Sequence, residues 1–199
     1  MSKELINQSI SIIHSSRFSR PSRNASVDLC HGMLILSNAL SSKPEKILEI
    51  GIGPGFCSEI LLSAIEYNGK GKLTCVDNFV DFGGNTPPSL IEKLKNNNIE
   101  LIAPIEEKDF VYSAKDDSYD FLVSDGDHHK AGLWTDQIFR IMKPNSIMFF
   151  HDASNEGFPT IKNYQTEAER LNKPYYLFNK SSRSDEQCHF GLLMVINKK

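Results

Sequence analysis

Ten residues carry the strongest constraint on the fold. From Ile47 to Phe56 the chain reads Ile-Leu-Glu-Ile-Gly-Ile-Gly-Pro-Gly-Phe. A short apolar run meets three alternating glycines, and a helical pattern then begins in which Cys57, Ile60, Leu61, Ala64 and Ile65 form one stripe. A strand that turns through glycine into an amphipathic helix opens a doubly wound α/β sheet, and that first turn faces the ligand crevice. Glycine suits the turn because it accepts positive φ and lets a ligand approach the backbone closely.

The rest of the chain repeats the alternation. Candidate strands are Lys46–Ile50, Lys72–Asp77, Ile99–Ala103, Tyr119–Ser124 and Ser146–His151, and helical patterns lie near Phe56–Tyr67, Ser89–Asn96 and Ala131–Met142. In the last of these, Trp134, Ile138, Ile141 and Met142 share a face, and Pro144 is read as the stop. Strands alternating with helices imply right-handed crossovers and a parallel sheet. A helix starting at Pro159 follows, then two strands, Pro174–Phe178 and Phe190–Ile196, joined by a polar link without a helix, which suits antiparallel neighbours.

The expected organisation is an N-terminal arm and helix over residues 1–40, ahead of one α/β domain over 41–199. Ser26 can cap a helix running to Leu40. The preceding Arg17, Arg20 and Arg23, among serines and Pro21, read either as a solvated leader or as an arm over an anionic ligand.

Composition excludes several classes. The chain has 199 residues, 40% apolar and 24% charged, with a formal net charge of −3. That suits one globular domain and argues against a broad nucleic-acid surface. Cys30, Cys57, Cys75 and Cys188 are too widely spaced for a disulfide framework or zinc ribbon. The first residues lack a signal-peptide layout, and no apolar run approaches the roughly 18 residues of a membrane span. The expectation is a cytoplasmic protein with no membrane or nucleic-acid partner, one that could form a homo-oligomer.

Spacing narrows the ligand. A dinucleotide turn reads G-x-G-x-x-G, but here its third glycine position is Phe56. The pattern is instead E-x-G-x-G-x-G, from Glu49, Gly51, Gly53 and Gly55. A carboxylate at Glu49 is awkward beside a pyrophosphate and acceptable beside a zwitterionic amino acid. Asp77, at the end of the second strand, can accept hydrogen bonds from both ribose hydroxyls. The ligand reads as a nucleoside without phosphates.

Glu49 to Gly55 resembles motif I of the class I S-adenosylmethionine (SAM)-dependent methyltransferases, and Asp77 resembles their ribose-binding acid. The resemblance implies a Rossmann-like, seven-stranded, mostly parallel sheet with an antiparallel last strand, in keeping with the hairpin of the tail. It also implies SAM as cofactor, its methionine part on the glycine turn.

Two polar motifs follow the fourth and fifth strands: Val123-Ser124-Asp125-Gly126-Asp127-His128-His129 and Phe149-Phe150-His151-Asp152. Both should reach the same carboxyl edge, where four or five ionisable groups are costly unless they bind something. They resemble the D-G-D-H and H-D signatures of small methyltransferases related to macrocin O-methyltransferase and to proteins named cephalosporin hydroxylase. More distantly they resemble the catechol and caffeoyl-CoA O-methyltransferases. With Lys143-Pro144-Asn145-Ser146 matched to their lysine-x-glycine-glycine turn, the resemblance puts a divalent metal (Mg, Mn or Fe) on Asp125, His151 and Asp152, and puts Asp125 beside the cofactor and the chemistry. A histidine nitrogen favours Mn, Fe or Zn over Mg or Ca. Adjacent strand residues face opposite ways, so His151 and Asp152 can share a metal only if the chain bends there.

His128 has a chemical role available, since methyl transfer to oxygen needs a hydroxyl proton removed and a base near its operating pKa contributes about 10²–10⁴-fold. It fits the D-G-D-H histidine better than His129, although chemistry alone does not choose between them. The expected activity is O-methylation of a hydroxyl on a small molecule, of sugar or natural-product type. The alternatives are a metal-dependent hydroxylase or hydrolase, and a non-catalytic SAM-binding protein. Two further features bear on the acceptor pocket. Asp81 to Pro88 reads as either a hinged loop or a plain surface connection, and Trp134 as either core packing or a wall of the site.

Overall fold

Central strands buried on both faces divide the core of this protein into two layers. The computed structural model describes Val27, Glu92 and residues 29–80, 98–154, 156–178 and 191–199. The arginine-rich arm, Ser26, the Asp81–Pro88 loop, the Ser89–Asn96 helix apart from Glu92, the link 179–189 with Cys188, and Phe190 lie outside the described residues.

The described residues form one seven-stranded sheet: β1 (Lys46–Ile50), β2 (Lys72–Val76), β3 (Ile99–Ile102), β4 (Tyr119–Ser124), β5 (Met142–His151), β6 (Tyr175–Phe178) and β7 (Leu192–Ile196). Their order is β3-β2-β1-β4-β5-β7-β6. The pairs among β1 to β5 are parallel, and β7 runs antiparallel to both β5 and β6. This is the expected Rossmann-like sheet with its reversed last strand. The helices are α1 (Leu29–Ser42), α2 (Phe56–Asn68), α3 (Glu107–Ser113), α4 (Thr135–Ile141) and α5 (Lys162–Arg170). No described helix is long and apolar enough to cross a membrane.

Successive strand residues point to opposite faces. Ile47, Leu73, Cys75, Phe121, Val123, Phe149 and Leu192 therefore pack with Ile35, Leu36, Ala39 and Leu40 of α1 and with Ile60, Leu61, Ala64 and Ile65 of α2. Leu48, Ile50, Val76, Leu122, Met148, Phe150, Leu193 and Val195 pack on the other face with residues of α3, α4 and α5. Truncating a buried aromatic such as Phe121 to alanine costs about 3–5 kcal/mol in cores of this kind. The helix in front of β1 thus shares a core layer with the helix that follows the glycine turn.

Three local expectations change. The Ala131–Met142 helix is split into a 3₁₀ turn over Ala131–Trp134 and then α4, which ends at Ile141. Pro144 does not stop it but lies inside β5, where Asn145 has φ 67° and the pairing with β4 shifts register. The residue before a proline avoids the helical region, so the chain extends early and bulges. The helix expected from Pro159 begins with a 3₁₀ turn, Pro159–Ile161, before α5. Finally, α3 was not foreseen. Its seven residues are too few for a clear periodicity, although a parallel crossover from β3 to β4 called for a helix.

Candidate functional site

The sheet reverses its winding between β1 and β4, which are neighbours in the sheet but far apart in sequence. Ligands of open α/β sheets bind outside the strand ends at such a point. Two backbone bonds frame the crevice there: Gly51 N–H donates to Val76 O at 2.9 Å, and Asp125 N–H donates to Ile50 O at 2.8 Å.

Gly51, Gly53 and Gly55 have φ values of 83°, 49° and 88°. At Gly51 the requirement is doubled. A Cβ there would collide with the carbonyl of Asp125 and stand 2.7 Å from the Gly126 nitrogen, so only glycine lets the two site loops meet. Asp77 anchors the same turn. Its Oδ2 accepts from Ile52 N–H and its Oδ1 from Phe79 N–H, both at 2.7 Å.

Glu49 lies beneath the turn rather than in the open crevice. Strand alternation turns it toward α2, where it is 0% exposed. Ser58 Oγ donates to its Oε2 at 2.6 Å and Cys75 Sγ at 3.1 Å, while Oε1 has no hydrogen-bond partner among the described residues. Burial pushes its pKa up to about 7, against the lowering effect of those two donors, with Asp77 and Asp125 adding to the rise.

On the other side of the crevice, two carboxylates and two imidazoles alternate around a closed square. His128 Nε2 lies 2.9 Å from Asp152 Oδ2 and 3.5 Å from Asp125 Oδ1. His151 Nδ1 lies 3.0 Å from Asp125 Oδ1 and 3.2 Å from Asp152 Oδ1. The bend required after β5 is present: Asp152 has φ 59°, which brings its carboxylate round to the side of its neighbour. His128 is held from behind, its carbonyl accepting from Thr160 Oγ1 at 2.9 Å and its ring lying 4.7 Å from that of Phe158. His129 also packs on Phe158, but of the two only His128 joins the carboxylates.

The electrostatics follow from the square. Burial alone would lower the pKa of His128, but the bond to Asp152 and the charges of Asp125 and Asp152 leave it raised. Burial alone would raise the pKa of Asp125, and His151, His128 and His31 leave it lowered. The pairs stabilise each other's charged forms.

Asp125, His128 and Asp152 each offer a ligand atom, all within 4.8 Å of one another, and they are the only such group among the described residues. The donor set of two carboxylates and an imidazole suits Mn, Fe or Zn. His151, expected among the ligands, lies outside this group and hydrogen-bonds Asp125 through Nδ1 at 3.0 Å. No second histidine–carboxylate group of the kind a hydroxylase reading called for occurs among the described residues.

Two further residues, Glu107 after β3 and His31 on α1, stand beside the site. Trp134 is buried and donates from Nε1 to Glu107 Oε1 at 3.0 Å, so Trp134 is core with a polar tether. Burial raises the pKa of Glu107 to about 7, the Trp134 bond opposing. His31, on α1, lies edge-on to His151 with ring centroids 5.7 Å apart. Glu107 had a usable signal in its place after β3, whereas His31 is one polar residue in an apolar helix and had none.

Compared with known proteins, the chain matches the family model described as a methyltransferase domain over residues 48–153, more than half its length. No curated protein sequence matches it. Its fold is similar to that of a candidate O-methyltransferase from Klebsiella pneumoniae, with TM-score 0.72, 10% identity, and 100% of this chain and 92% of that one covered. TomG from Streptomyces achromogenes, an O-methyltransferase of tomaymycin synthesis solved with SAM, gives 0.69, 15%, 100% and 92%. The Bacillus cereus O-methyltransferase solved with SAH gives 0.64, 14%, 98% and 91%.

Proposed function

The chain belongs to the methyltransferase-domain family, and from that premise we propose that it is a SAM-dependent O-methyltransferase acting on a hydroxyl of a small molecule. One observation carries the reading. The glycine turn with Asp77 and the Asp125–His128–His151–Asp152 square stand on facing sides of one crevice at the carboxyl edge of the sheet. The SAM- and SAH-bound neighbours of the same fold support the choice of cofactor.

In this reading Gly51, Gly53 and Gly55 present backbone to the methionine part of SAM, and Asp77 takes the ribose hydroxyls. Glu49 supports the turn from below. Transfer is an in-line displacement: the acceptor oxygen attacks the sulfonium methyl, the carbon–sulfur bond breaks, and S-adenosylhomocysteine leaves. The hydroxyl must lose its proton as it attacks. His128 is placed to accept it at a ring nitrogen, with Asp152 and Asp125 stabilising the imidazolium.

Asp125, His128 and Asp152 would hold a divalent cation, which when bound would lower the pKa of the hydroxyl and orient its oxygen. Nε2 of His128 faces the carboxylates in either role, so the cation and the proton compete for it. A rate that rises on adding Mn²⁺ assigns His128 as a ligand, and a rate unaffected by chelation assigns it as the base.

The deciding experiment is calorimetric titration with SAM and, in parallel, NAD. The expected result is SAM binding with no response to NAD. In Asp77→Ala the affinity for SAM falls roughly 10- to 100-fold, the cost of losing charge-assisted bonds. Binding of NAD instead, or of neither, overturns the proposal.

A further inference from the structure

The region matched by the family model begins at residue 48, so α1 lies wholly outside it. Yet α1 delivers a side chain to the square. We propose that His31 is a positioning residue of this site: its ring packs edge-on against His151 and holds that imidazole with Nδ1 on Asp125.

The argument starts from what His151 needs. Nδ1 hydrogen-bonds Asp125 Oδ1 at 3.0 Å and lies 3.2 Å from Asp152 Oδ1. The terminal torsion of a histidine is broad and roughly two-fold, so the strand fixes where the ring starts but not which edge it turns to the carboxylates. A half-turn would replace Nδ1 with a carbon and take the hydrogen bond off Asp125. The bond to Asp125 opposes that half-turn, and His31, in ring contact at 5.7 Å between centroids and 76° between planes, holds the plane in which the ring lies.

His31 is itself held firmly. It is 2% exposed, on a helix whose Ile35, Leu36, Ala39 and Leu40 are buried in the core. Ile35 and Ala39 follow it at intervals of four, so the three form one inward stripe. The next residue, Gly32, sets how close the helix comes: a Cβ there would stand 2.6 Å from the ring of Phe56, the first residue of α2. With glycine, α1 settles against the end of the glycine turn and His31 reaches β5. One small residue thus ties the spacing of α1 to both halves of the crevice.

A buried imidazole costs more than an apolar side chain of the same size, so filling space does not account for it. The residue acts through His151, which in turn orients the carboxylate of Asp125. Outer partners of this kind are worth roughly 10- to 100-fold in the affinity of a metal site.

The test uses the full chain in three forms, wild type, His31→Ala and His31→Phe, with two readouts. Two-bond ¹H–¹⁵N spectra of the imidazoles report whether His151 keeps one orientation and tautomer, and this arm does not depend on the methyltransferase reading. The second arm, Mn²⁺ affinity by electron paramagnetic resonance, rests on that reading, with SAM affinity as the control.

His31→Ala is expected to change the His151 ring signals and to weaken Mn²⁺ roughly 10- to 100-fold, leaving SAM affinity within about 2-fold. His31→Phe keeps the edge contact and is expected to restore most of both. Unchanged His151 signals in His31→Ala overturn the proposal, as does a His31→Phe protein that folds like wild type but shows the full defect. A wild-type protein that binds no Mn²⁺ overturns the metal reading instead, and the ring spectra still decide the role of His31.

Discussion

The two sides of the crevice are built from different materials. On the β1–β2 side the contacts are mostly main chain: three glycines at positive φ, and a carboxylate, Asp77, that spends both oxygens on backbone N–H groups. On the β4–β5 side they are side chains, two acids each within 3.5 Å of both histidines. The first side recognises by shape and tolerates no added atom. The second is held together by charge, so its pairing depends on protonation.

The largest expected effect tests the shape side. Gly51→Ala adds a methyl against Asp125 and forces an alanine into left-handed backbone, costing about 1–3 kcal/mol for the strain and a similar amount for the overpacking. Calorimetry should find no SAM binding, and thermal melting should show the destabilisation. A Gly51→Ala protein that binds SAM normally would remove the case for a backbone-built half.

The next tests the one place where the contrast blurs. Glu49 lies under the shape side yet titrates, with a pKa raised to about 7 from an ordinary 4.5. The folded state therefore holds this proton more tightly than the unfolded state. The stabilisation is full below about pH 4.5 and is lost as the pH rises through about 7, on the order of 2–3 kcal/mol between pH 5 and pH 8. Glu107 slopes the same way. Urea denaturation of Glu49→Gln at pH 5 and pH 8 should show a smaller difference than wild type. An unchanged slope would mean that Glu49 is ionised in the fold.

A smaller effect sharpens the charge side. Asp152→Asn removes the leading partner that raises the pKa of His128, so that pKa should fall. His128 stabilises the fold most below its unfolded pKa of about 6.5 and loses that contribution as the pH rises through its raised folded value. The variant should therefore lose stability at pH 5.5 and little at pH 8, and bind Mn²⁺ roughly 10- to 100-fold more weakly with unchanged SAM affinity. Equal losses at both pH values would mean that Asp152 acts through packing rather than charge.

What the sequence determined by itself is whatever depends on local pattern. Short continuous apolar runs placed β1 and β4 to the residue, because strands of a parallel sheet covered on both faces read that way. The E-x-G-x-G-x-G turn was legible because only glycine accepts its backbone. Asp77, Asp125 and Asp152 were legible because parallel strands all end at one edge, so the residue after each strand arrives there whatever its neighbours.

The tertiary structure decided what depends on direction. Which histidine converges with Asp125 and Asp152 turned on the reversal at Asp152, φ 59°, a backbone choice that no periodicity reports. Glu49 was read as a group beside the ligand. Its burial follows from α2 closing over that face of β1, a packing event between separate elements. His31 became part of the site only because Gly32 lets α1 come within reach of Phe56, and a contact between residues 31 and 151 leaves no trace in either local pattern. Periodicity is one-dimensional and places elements, but the aim of a side chain depends on every element packed around it.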